Sequence, residues 1–168
     1  MSIIEDFDNL DKVSYSLWSV YCEISDYYRG PDIPTEFEKG MYSFIETAEG
    51  KKLEKELSAL TDRNILSIDE ITGKLNENII IQKEDTDKIN IFINSFTLNY
   101  TSIHAKIVWF NERNMDLNER AKLNGYYEKF DSKVRSLHKV LTEKRDILNI
   151  ITIWEAIEEI KKTALQGI

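Results

Sequence analysis

Residues 88–110, KINIFINSFTLNYTSIHAKIVWF, decide the fold. Ile89, Ile93, Phe96, Tyr100, Ile103, Ile107 and Phe110 recur at alternating steps of four and three, the spacing of an apolar helical seam. The composition pulls the other way, because Ile, Thr, Asn, Phe and Tyr lean away from helix. Ile89, Ile91 and Ile93, and then Phe96, Leu98 and Tyr100, also alternate with a period of two. A β-hairpin over residues 79–100 is therefore the rival reading. Length arbitrates: the stretch has no Gly or Pro and far exceeds an ordinary strand. The spacing predicts a long helix.

Outward from it, the same periodicity recurs with few breakers. Leu10, Val13, Leu17, Val20, Tyr21, Ile24 and Tyr28 share a helical face that Arg29-Gly30-Pro31 ends. Thr35 with Glu38 forms a capping box, opening a helix with Phe37, Met41, Phe44, Ile45 and Ala48 inward and Gly50 near its end. Leu53, Leu57 and Leu60 mark a short helix, and the Ser67–Glu70 pattern opens another, reaching about Leu75. Asn76-Glu77-Asn78 reads as a turn before an extended Ile79–Ile81. Asp116 with Glu119 starts a helix whose stripe is Leu123, Tyr127, Phe130, Val134, Leu137 and Leu141. A final helix carries Ile147, Ile150, Ile151, Trp154, Ile157, Ile160 and Ala164. The expectation is an all-α, single-domain bundle of about five to six helices over residues 1–168. Gly125, before Tyr126-Tyr127, is expected to permit a close helix approach or a kink.

Charge is uneven. Residues 1–38 hold nine carboxylates and two bases, interleaved with Phe7, Tyr15, Trp18, Tyr21, Tyr27, Tyr28 and Phe37. The stretch from Arg113 to Arg145 holds nine bases against five acids. Internal complementarity, with the acidic N-terminal part beside the basic helix, is one explanation; separate partners for the two regions is the other. A formal net charge of −8 disfavours nucleic acid and anionic membranes. No run approaches the length of a membrane span. The single cysteine, Cys22, excludes an internal disulfide and a metal-binding cysteine pair, and the acidic start lacks a basic leader, so a cytoplasmic setting is expected.

Chemistry-bearing motifs are scarce. His104 and His138 lack a carboxylate three residues earlier, where a di-metal bundle would place it; Thr101 and Arg135 stand there. Arg135 and His138, three apart, lack the polar spacing of helical ribonucleases. Glu155, Glu158 and Glu159 read as a solvated face. No phosphate loop, dinucleotide fingerprint or zinc motif is present. No enzyme activity, cofactor or metal is expected. The residues point instead to an acidic protein-binding module that docks or neutralises a more basic protein, of the immunity-protein, antitoxin or inhibitor type. The residues expected to meet that partner are Glu5, Asp6, Asp8, Asp11, Tyr15, Glu23, Asp26 and Tyr27. The alternative is a structural or regulatory subunit of a homo-oligomer, joined through the seams at 89–110 and 123–141.

Overall fold

The computed structural model describes residues 2–28, 44–113 and 115–166. Five helices fill them: α1 (Ile3–Asp26), α2 (Ala48–Leu75), α3 (Lys83–Asn111), α4 (Leu117–Leu148) and α5 (Ile153–Gln166), with a 3₁₀ turn at Phe44–Glu46 before α2. No strand occurs among the described residues, so the hairpin over 79–100 is not formed. Ile89, Ile93, Phe96, Ile103, Ile107 and Phe110 are all buried on one side of α3. A strand through Ile89, Ile91 and Ile93 would bury all three together, whereas Ile91 is 65% exposed. The helical spacing won because it gathers more apolar surface onto a single face.

Two other sequence expectations change. The short helices expected at 53–60 and 67–75 are one helix, α2, with Ser67 and Ile68 buried inside it. The Ser67–Glu70 pattern does not cap, since no breaker precedes it and burial of Leu57, Ile68 and Ile71 carries the helix through. The helix opened by Thr35 lies largely outside the described residues. Its expected end falls elsewhere: Gly50 sits in the first turn of α2, capped by Thr47, whose Oγ1 accepts the Gly50 N–H at 3.0 Å. A Cβ on Gly50 would overlap the Phe44 carbonyl, so the 3₁₀ turn packs where only glycine fits. At Gly125 a Cβ would meet nothing, which removes the expected close approach there.

Side-chain pairs fix the topology. Asp6 meets Lys74 and Val13 meets Asn64, so α1 and α2 run antiparallel. Tyr100 meets Asp131 and Asn111 meets Asn124, so α3 and α4 do too. Asp11 with Ser95 and Ser25 with Lys106 make α1 and α3 parallel. Glu54 with Lys122 and Asp69 with Lys133 make α2 and α4 parallel. The four helices thus stand in the cyclic order α1, α2, α4, α3, and the 76–82 connection crosses the bundle end diagonally. In the core Phe96 and Phe130 meet edge to face at 6.2 Å, joining α3 to α4.

The charge asymmetry is used differently from the expectation. α1 and the basic helix α4 stand across the diagonal, and α4 turns two of its lysines to α2: Lys133 Nζ lies 2.8 Å from Asp69 and Lys122 Nζ 3.5 Å from Glu54. Asn149, in the left-handed region at φ 56°, ends α4 and resets the helical phase. Among the described side chains of α5, Ile153 and Ala156 are therefore the buried ones, while Ile147 and Trp154 of the expected stripe are exposed. Thr152 and Glu155 form a reciprocal capping box, with Glu155 N–H donating to Thr152 Oγ1 at 3.1 Å and Thr152 N–H to Glu155 Oε1 at 3.4 Å.

Candidate functional site

The eight residues expected to face a partner all stand on or just after α1, but burial divides them. Asp6 is buried and bound to the Lys74 ammonium. Asp11 accepts the Ser95 hydroxyl at 2.7 Å, and its backbone carbonyl accepts the Asn99 amide at 3.2 Å. These two carboxylates fasten α1 to α2 and α3. Asp8 pairs across one helical turn with Lys12 at 3.0 Å, in solvent. Glu5 holds the start of α1, its Oε1 accepting the Ser2 hydroxyl at 3.2 Å. Glu23 and Asp26 are exposed and have no ion pair among the described residues.

The aromatic residues divide similarly. Phe7, Tyr21 and Tyr28 are core. Tyr27 is exposed but stacked on Phe44, ring centroids 3.9 Å apart. Tyr15 is 56% exposed and tilts against half-buried Trp18 at 5.5 Å. What remains for a partner on α1 is thus Asp8, Glu23 and Asp26 around the Tyr15–Trp18 pair, with Tyr27 near its end.

This edge continues onto α3 and α5. Ser95, which holds Asp11, also lines a groove with Asn94 and Leu98 of α3 and with Glu159, Ile160 and Ala164 of α5; its volume is about 650 Å³. Leu98 is 52% exposed, and Ile91 lies two helical turns before it on the same outer face. Because α1 and α3 are parallel, Tyr15 and Trp18 stand at the level of Leu98 to Ser102. Ile91, Leu98 and Ile160 stand in the sequence as apolar positions of these segments, with nothing to mark them as a partner surface. Ile91 and Leu98 lie seven apart and off the buried seam, a signal that becomes visible once the helical phase of α3 is fixed.

A second polar constellation joins α3 to α4. Asp131 Oδ1 accepts the Tyr100 hydroxyl and, at 3.5 Å, that of Tyr127; Oδ2 accepts Arg135 Nε at 2.9 Å. His104 Nδ1 lies 2.7 Å from the Tyr127 oxygen. Burial alone would raise the Asp131 carboxyl, but the Tyr100 hydroxyl and the Arg135 guanidinium outweigh it and hold the acid below its ordinary range. Burial pushes both tyrosines up. These phenols are held as hydrogen-bond donors, and their protons are hard to remove.

Glu119 is buried as well. Besides its place at the start of α4, its Oε2 accepts the Tyr28 hydroxyl and the Phe44 N–H, the latter at 3.1 Å. Its backbone N–H donates to the Asp116 cap at 3.1 Å, as the sequence predicts, but its side chain does not reach back to complete the box. Burial raises the Glu119 carboxyl despite the opposing hydrogen bonds. Of the acidic cluster on α5, Glu155 chelates Arg145 at 2.5 and 3.2 Å. No group of three or more His, Cys, Asp or Glu that could hold a metal occurs among the described residues. No helix among them is long and apolar enough to cross a membrane.

Comparison with protein-family models, with curated proteins and with solved structures finds no match for this chain.

Proposed function

We propose that this chain is a noncatalytic protein-binding module that docks a more basic protein on the face formed by α1, α3 and α5, as an immunity protein, antitoxin or other inhibitor does. The observation that carries the reading is the exposed Tyr15 with its neighbour Trp18, set among acids that keep their charge outward and beside an apolar groove. An amphipathic helix of the partner suits this shape. Its apolar face would cover Leu98 and Ile160, and its basic flanks would meet Asp8, Glu23 and Asp26 on one side and Glu159 on the other. Aromatic anchors slow dissociation, and opposite charge speeds encounter. Asp6 and Asp11 take no part, being committed to neighbouring helices.

Paired affinity capture from native cells tests this, with the wild-type chain and a Glu23→Lys/Asp26→Lys variant as baits. A basic protein held by the first bait and released by the second supports the reading, provided its association slows as salt rises. Equal retention by both baits, or a bound protein that is acidic, overturns it.

The seams at 89–110 and 123–141, expected to join copies of the chain, are instead buried within the bundle, so the homo-oligomer stands as a second reading only through the exposed Ile91 and Leu98. A solution mass near 19.7 kDa at high concentration removes it, and twice that mass, lost on Leu98→Glu, establishes it.

A further inference from the structure

The other flank of α5 borders a different groove, of about 250 Å³, lined by Tyr100 of α3, by Val134, Arg135 and His138 of α4, and by Ile153, Trp154 and Ile157. Three features there leave surface or polar groups available to a ligand. Trp154 leaves 60% of its surface in solvent. His138 has its Nδ1 buried without a hydrogen-bond partner, a costly arrangement for a packed imidazole. Arg135 donates through Nε alone, to Asp131 Oδ2 at 2.9 Å, and its two terminal nitrogens bond to no described residue.

That last arrangement is a prepared receptor. Asp131 is itself held by the Tyr100 and Tyr127 hydroxyls, and it anchors Nε of the Arg135 guanidinium, whose side chain is otherwise 77% exposed. The free edge carries two parallel N–H donors, the geometry that a carboxylate meets with both oxygens. The nearest acids of α5 do not compete for it: Glu155 is bound to Arg145, and Glu158 lies 3.7 Å from Lys161. Val134, Ile153, Ile157 and the indole of Trp154 supply the apolar wall. The volume suits one ring and its acid group and is too small for a nucleotide.

We propose that this groove binds a small carboxylate borne on an aromatic or branched apolar body, with Arg135 taking the carboxylate and Trp154 covering the body. The proposal is independent of the docking face, from which it shares no residue. Asp131 offsets the Arg135 charge, so recognition rests on directed donors and buried apolar area.

The test is an NMR titration of the full-length chain with benzoate, benzamide and acetate, following the Trp154 indole and His138 ring signals. Benzoate is expected to move both signals with a dissociation constant of about 1 mM, and benzamide and acetate to bind at least about tenfold more weakly. Arg135→Gln is expected to reduce benzoate to the benzamide level, while Lys139→Gln, a charge control on the same helix, leaves it unchanged. Arg135 and Trp154 are surface side chains, so Arg135→Gln and Trp154→Ala are expected to keep the wild-type far-ultraviolet spectrum. Trp154→Ala is expected to weaken benzoate by at least about tenfold as well, read from the His138 ring signals. Equal affinity for benzoate and benzamide, unaltered binding by Arg135→Gln, or no movement of either signal at about 20 mM ligand overturns the proposal.

Discussion

Asn99 offers the most direct test of how α1 is held. Its side-chain amide donates to Ser14 Oγ at 2.9 Å and to the Asp11 carbonyl and Oδ1, each at 3.2 Å, in a buried seam between α1 and α3. Asn99→Ala removes an amide with two protons, hence two full bonds at a time, each worth about 1 kcal/mol net. Ser14 keeps its own donation to the Asp11 carbonyl at 2.9 Å, and Asp11 keeps Ser95, so neither partner is orphaned. With a small cavity added, the expected loss is about 2–3 kcal/mol. For a chain of this size that lowers the melting temperature by about 4–12 °C. Urea unfolding followed by far-ultraviolet circular dichroism measures it, with an unchanged slope against denaturant. A double-mutant cycle with Ser14→Ala should return a coupling above about 0.5 kcal/mol. A total loss below about 0.5 kcal/mol, or strict additivity with Ser14→Ala, refutes the view that this network fastens the two helices.

Two further outcomes follow from buried features. Glu119 has its folded pKa raised by burial, so the folded state binds its proton more tightly than the unfolded state does. Its contribution is therefore fully present below the unfolded pKa and is lost as pH rises through the folded value. Wild-type stability relative to Glu119→Gln is expected to improve as pH falls from neutral towards the ordinary carboxylate range, and parallel urea curves at several pH values would contradict this. Gly50→Ala pushes a methyl into the Phe44 carbonyl and is expected to cost about 1–3 kcal/mol, although alanine favours helix by about 1 kcal/mol. Thermal melting beside Gly73→Ala, where space is open, separates the two effects; equal melting temperatures would contradict it.

Much of the fold is legible in local periodicity. The seams of α3 and α4 are long and uninterrupted, so each burial face could be named residue by residue, and Asp116 is the cap its spacing indicates. What local pattern could not supply is which helices touch. Asn99 and Asp11 lie 88 residues apart, and nothing in either segment announces the other. The opening acids illustrate the consequence for the site: Asp6 and Glu23 look alike in sequence, yet one is buried against Lys74 and the other faces solvent. Phe7 and Tyr15 part company in the same way. The groove at Arg135 was half visible, because Arg135 and His138 share a helix. Trp154 reaches it only because Asn149 resets the phase between α4 and α5.

The diagonal crossing at residues 76–82 has a consequence for how the molecule is put together. It divides the chain into two antiparallel pairs, α1 with α2 and α3 with α4, which meet along two further seams. The two seams that join the halves, α1 against α3 and α2 against α4, are both parallel pairs, in which neighbouring helix dipoles oppose association. Polar fasteners sit on both seams: Asn99 and Ser95 on Asp11 along one, Lys133 on Asp69 along the other. Across both seams attraction between apolar faces supplies the drive, and these few directional bonds select the alignment.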